Sequence, residues 1–189
     1  MKQKILLLTL LMTCSLSLFS QNLAMLDKVN GFKKFKFGMN KNEFSNLKET
    51  QTNIIMNDVK NYDYTGSDIK NFYGVPIDQI NLSFYKNKLY QIRISFGTIY
   101  EEYTISQFNL VKQNLITNFG TNYRSIERNT ESDIIDAYGW RGQNVKLDTY
   151  RLNLSEKDGS RNPRYNYIQG FILFTDKKIE LLQQRSEIE

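Results

Sequence analysis

Carboxylates are the side chains of this chain whose types and spacing come closest to chemistry. Glu101-Glu102 precedes an apolar-periodic segment, and Glu131, Asp133 and Asp136 cluster after it. Two acids held about 5 to 9.5 Å apart can cleave a glycosidic bond, one as general acid and the other as nucleophile or base. Acids just before a helix also have a simpler use, because negative charge is favourable at its N-terminus. Asp158-Gly159-Ser160 and the acidic cluster offer oxygen ligands for calcium, but without the dense ligand spacing of an EF-hand. The chain contains no histidine, so no Ser-His-Asp or Cys-His nucleophile can be assembled. Its single cysteine, Cys14, cannot make a zinc site without histidine either. The expectation is therefore no catalytic residues, no cofactor and no metal.

Aromatic side chains offer the other route to function. Tyr62, Tyr64, Tyr73, Tyr100, Tyr103, Tyr123, Tyr138 and Trp140 fall near turns. Exposed Tyr and Trp give rigid contact area at binding surfaces. Tyrosine also favours strands for its own sake, so most of these are expected in the sheet.

The ends of the chain bound where any such surface would work. Met1-Lys2-Gln3-Lys4 is a short cationic head, and Ile5 to Phe19 is apolar apart from five small polar residues. This is the layout of a cleavable secretory signal. It is shorter than the roughly 20 apolar residues of a spanning helix. Cleavage after Ser20 is the first choice, and Ser15-Leu16-Ser17 satisfies the small-x-small rule further upstream. Leu11-Met12-Thr13-Cys14 looks like a degraded lipobox, with lipidation of Cys14 as the third outcome. The expected location is periplasmic or extracellular, with no transmembrane segment after signal cleavage. Lys2 and Lys4 leave with the leader, so 25 basic and 20 acidic residues become 23 and 20, and the net charge falls from +5 to +3. A surplus this small gives no case for a nucleic-acid partner. Cys14 leaves as well, and the mature domain has no disulfide.

The elements that must position these residues follow from periodicity. Residues 21–31 read as an N-terminal tail and 32–189 as one domain. Phe35 and Phe37 alternate with Lys34 and Lys36, as in an edge strand with Phe inward and Lys outward. Asn40 and Glu43 make a capping-box pair, predicting a helix that ends near Thr50 with Phe44 and Leu47 on one face. Residues 80–96 alternate on either side of Lys86-Asn87-Lys88 and predict a β-hairpin. Thr104 and Gln107 cap a second helix whose stripe is Ile105, Phe108, Val111, Leu115 and Phe119, with Gly120 as its stop. Residues 134–140 and 145–154 read as strands, the second changing phase near Asp148 to Tyr150 through a bulge or through burial of both faces. Tyr165 to Phe174 is apolar on both phases, as a central strand would be. Asp176 caps a short terminal helix, with a terminal hairpin as the alternative.

The fold class expected is α+β: a mainly antiparallel sheet with two or three helices packed on one face, a two-layer sandwich. Helix-then-hairpin occurs twice in this reading (residues 40–96 and 104–154), which allows a pseudo-duplicated arrangement. Phe37-Gly38-Met39-Asn40-Lys41-Asn42-Glu43-Phe44 and Leu82-Ser83-Phe84-Tyr85-Lys86-Asn87-Lys88-Leu89 resemble segments of exported bacterial α+β domains. Among these is the small lipoprotein of the outer-membrane β-barrel assembly machine. The resemblance covers two short segments and implies a fold and a place in the envelope, and it assigns no functional residue. The function expected is a non-enzymatic envelope protein that binds another envelope protein or glycan. A carboxylate-dependent hydrolase of envelope polysaccharide and a periplasmic inhibitor or immunity protein are the alternatives.

Mass spectrometry of the exported protein tests the leader. A chain beginning at Gln21 is expected; one beginning at Leu18, or a lipid on Cys14, overturns that assignment.

Overall fold

The computed structural model describes residues 23–50, 58–126, 133–154 and 168–187. The leader, Glu131 and the Asp158-Gly159-Ser160 triplet lie outside them.

The expected hairpin is the clearest product of local sequence. Strands β7 (Gln79–Tyr85) and β8 (Lys88–Phe96) face each other with Ile80 opposite Ile94 and Leu82 opposite Ile92. Lys86 and Asn87 between them have φ of 47° and 65°, a two-residue turn whose twist matches that of the strands. β12 (Ile168–Asp176) enters on the other side of β8, with Ile172 opposite Ile94 and Phe174 opposite Ile92. Its second neighbour is β11 (Val145–Asn153), which pairs with β10 (Ile134–Arg141) and through it with β9 (Arg124–Ser125). On the far side of β7 lie β4 (Val59–Tyr64) and β3 (Leu47–Glu49). The result is an eight-stranded antiparallel sheet in the order β3-β4-β7-β8-β12-β11-β10-β9.

One face of this sheet carries the core: Ile92, Ile94 and Phe96 from β8, Ile172 and Phe174 from β12, Val145 and Leu147 from β11, and Trp140 from β10, all buried. Helix α1 (residues 23–29) and helix α2 (Ile105–Phe119) pack on that face. Two small hairpins complete the cover: β1 (Gly31–Phe32) with β2 (Phe35–Lys36), and β5 (Asn71–Phe72) with β6 (Val75–Pro76). This is the two-layer α+β architecture expected. Helix α2 keeps its predicted caps, the Gln107 backbone N–H donating to Thr104 Oγ1 at 3.2 Å. Its stripe buries Phe108, Val111, Leu115 and Phe119, while Ile105 stays half exposed. The Trp140 indole donates to the Gly120 carbonyl at 2.9 Å, tying the helix end to the sheet. Helix α3 (Lys177–Ser186) is capped by Asp176, which excludes the terminal hairpin. It meets the opposite face of the sheet, where Lys146 pairs with Glu180.

Several expectations are corrected. The helix predicted from Asn40 to Thr50 is one 3-10 turn, Lys41–Glu43, followed by β3. The start signal is real, since the Asn40 backbone N–H donates to Glu43 Oε1 at 2.6 Å. However, the Phe44 ring docks between Phe35 and Phe84, Asn46 turns the chain at φ 61°, and Leu47 pairs with Tyr64. Ladder bonds and ring contacts thus win over a helix with two apolar residues. Of the two helix-then-hairpin units expected, the one at residues 40–96 therefore lacks its helix, while α2 with β10–β11 is present. The edge strand read at Phe35 and Phe37 is instead the β1–β2 hairpin, turning at Lys33 with φ 48°, although both Phe point inward as expected. The phase change in β11 comes from burial on both faces: its register with β12 is unbroken, and Asp148 and Thr149 are both buried.

The tail is also corrected. Residues 23–29 form α1, with Leu26 fully buried. Asp27 accepts the backbone N–H groups of Gln143, Asn144 and Val145 at 2.7, 2.7 and 2.8 Å, filling the nest made by the β10–β11 turn. A Cβ on Gly142 would lie 2.6 Å from the Asp27 carboxylate, so glycine permits this approach. Asp27→Ala removes a charged acceptor from three donors and is expected to cost about 2 kcal/mol. Urea unfolding measures this, and a loss under about 0.5 kcal/mol, the range of ordinary surface changes, would contradict the assigned role.

Candidate functional site

The structure brings two of the singled-out acids together, but around a cation. Arg151, with its side chain 12% exposed, lies 3.3 Å from Glu102 and 3.7 Å from Asp136, and its Nε donates to the Tyr103 carbonyl at 3.1 Å. The guanidinium fills the space between the carboxylates that a scissile bond would need. This is a clamp joining the segment before α2 to β10 and β11. Glu101 and Glu102 both line a cavity of about 170 Å³, with Asp78 and Thr98. Burial raises the Asp78 carboxyl above its ordinary range. The cavity is smaller than the roughly 300 Å³ at which small-molecule sites begin. Among the described residues, no group of three or more acids is placed to hold a metal.

Most of the singled-out aromatics belong to the core. Tyr62, Tyr64, Tyr103 and Trp140 are buried, and Tyr123 and Tyr138 pack against the core. Tyr103 stacks on Phe96 at 5.0 Å. Tyr100 and Tyr73 remain, 77% and 42% exposed. Tyr73 is the one that lines a groove with other apolar residues.

That groove, of about 570 Å³, lies between α1, the β1–β2 hairpin, the β5–β6 hairpin and the end of α2. Phe32, Phe72, Phe119 and Phe174 form its floor, with Phe32 stacked 6.0 Å from Phe174 and 5.4 Å from Phe72. Met25 and Tyr73 rise at its edges, both more than 40% exposed. Asn71, Asn118 and Lys33 are its polar groups, and no acid lines it. An apolar concavity of this size with a few polar groups is the usual form of a binding site.

Backbone geometry singles out the same walls. Among the described residues, the positive-φ positions that are neither Gly, Asn nor Asp are Lys33, Tyr73 and Lys86, and the first two line this groove. A bulky residue in the left-handed region is uncommon and costs energy, so it persists where its surroundings hold it. The Tyr73 ring meets Phe72 edge-on at 4.6 Å, and Asn118 donates to its hydroxyl at 2.9 Å. Burial raises the Tyr73 phenol above its ordinary value. Tyr73 was visible in the sequence as a tyrosine beside Gly74. Met25 was hidden in the supposed tail, and Lys33 in the supposed strand.

A polar clasp fixes the hairpin wall. Lys34 Nζ donates to the Tyr64 hydroxyl at 2.6 Å and to Asp68 at 2.7 Å, and the Tyr64 hydroxyl also donates to Asp68. Lys36 Nζ reaches the Val29 carbonyl at 2.8 Å, joining hairpin to α1. Lys34, and then Tyr64, lower the Asp68 carboxyl to about 2 from an ordinary 3.8.

Comparison with protein families, with characterised proteins and with solved structures finds no match to the chain. No helix among the described residues is long and apolar enough to cross a membrane.

Because the Asp68 value is depressed on folding, the clasp is fully present above about pH 3.8 and is lost as pH falls through about 2. A carbon-detected NMR titration should place the Asp68 midpoint near 2, and Lys34→Ala should return it toward 3.8. An unchanged midpoint in that variant would remove the clasp.

Proposed function

We propose that this chain is an exported binding protein of the bacterial envelope, and that it holds an apolar group of another envelope component in the groove between α1 and α2. The observation that carries this reading is the groove itself: an apolar concavity with the buried rings of Phe32, Phe72, Phe119 and Phe174 at its base, walled by the exposed Met25 and a Tyr73 held in an unfavourable backbone conformation. Export follows from the leader pattern, and the resemblance to exported envelope domains points the same way. The hydrolase alternative has less support, since Glu102 and Asp136 are engaged by Arg151 and Glu101 faces a small cavity. An inhibitor or immunity role would be one form of the same binding activity.

Capture from an envelope extract by the mature chain tests the proposal, run beside two surface variants. Met25→Glu places a charge in the groove, and Leu110→Glu places one on the exposed side of α2, where Leu110 is 46% exposed. A captured component should drop at least tenfold with Met25→Glu and persist with Leu110→Glu. Equal capture by all three proteins would sink the groove as the binding surface.

A further inference from the structure

The charged side chain that lines the groove, and those next to its lining residues in the chain, are all lysines. Lys33 lines it, with Nζ 5.7 Å from the centre of the Phe32 ring. Lys28 adjoins Val29 and Lys70 adjoins Asn71, each the chain neighbour of a lining residue, and both are exposed. Among the described residues none of these three lysines forms an ion pair. The nearby acids are already committed: Asp27 to the backbone nest at residues 143–145, and Asp68 to Lys34. An aromatic floor therefore ends at an ammonium without a counter-ion. A neutral apolar ligand would leave that charge unused, and a cationic one would be repelled. A ligand that fills the floor and meets Lys33 needs an apolar body and an anionic end.

From this we infer that the groove takes a single-chain fatty carboxylate, with its alkyl chain over Phe32, Phe72 and Phe119 and its carboxylate at Lys33. The inference rests on the groove being the binding surface and adds the class of ligand. Alkyl burial supplies most of the affinity, and the exposed ion pair contributes selectivity. Binding should weaken with salt through that pair alone.

Titration of the mature chain with octanoate, decanoate, decan-1-ol and decyltrimethylammonium, followed by amide NMR shifts and calorimetry, tests it. Decanoate should shift residues 25, 33, 73 and 119, and each added methylene should tighten binding about threefold to fourfold. Decan-1-ol should bind several-fold more weakly than decanoate, and the ammonium amphiphile more weakly still. Lys33→Gln should weaken decanoate about threefold and leave decan-1-ol unchanged. Met25→Glu should weaken both, with the dispersed amide spectrum of each variant verifying the fold. Equal binding of the three ten-carbon headgroups, or no effect of Lys33→Gln, overturns the carboxylate assignment and leaves the groove standing. Absence of decanoate binding likewise overturns it, while loss of the groove as a surface is read separately from the Met25→Glu capture.

Discussion

The width of the sheet is the constraint on which the rest of this structure depends. Eight strands spaced by about 4.8 Å make a layer roughly 34 Å across. A helix with its side chains covers only about 10 Å of that. The buried stripe of α2, held at its end by the Trp140–Gly120 bond, therefore shields just part of the apolar face. The remainder is roofed by α1 and two hairpins with strands of two residues each. Where these short pieces meet they leave a groove, with the buried rings of Phe32, Phe72 and Phe174 at its base.

Elements this short have no stability of their own, because an isolated hairpin is marginal even at greater length. Their rings bring them down onto the sheet: Phe32 onto Phe174, Phe35 against Tyr64, Phe72 against Phe96. Their orientation is set by polar ties, namely Asp27 in its nest, Lys34 with Tyr64 and Asp68, and Lys36 on the Val29 carbonyl. Exposed ion pairs contribute about 0 to 1 kcal/mol, so ring burial carries the stability and the ties fix the geometry. This division of labour gives the groove a defined shape although most of its walls, α1 and the two small hairpins, are short elements.

The same ties decide the chemistry left over for a ligand. Of the acids singled out along the sequence, Glu102 and Asp136 are engaged by Arg151, and two further acids, Asp27 and Asp68, hold the small elements. Among the described residues, Lys28, Lys33 and Lys70 around the groove are not paired in this way. A chain with nearly balanced charge thus presents a locally cationic rim beside the aromatic groove.

The sequence by itself determined the elements whose signals are short-range and mutually consistent. Alternation on both sides of Lys86-Asn87 specified the β7–β8 hairpin, and the Thr104–Gln107 cap, apolar stripe and Gly120 specified α2. The two-phase apolar run of β12 marked its central place, and the missing histidine bounded the chemistry. Only tertiary structure decided what became of residues 23–50. There the capping signal at Asn40 was outweighed by ring contacts of Phe44 and by pairing with β4, and the supposed tail was recruited by a turn more than 110 residues away. Those contacts join residues distant in the chain, and no local period records them. The groove is assembled from four such segments, so its residues were legible singly, Tyr73 most of all, while their convergence was not.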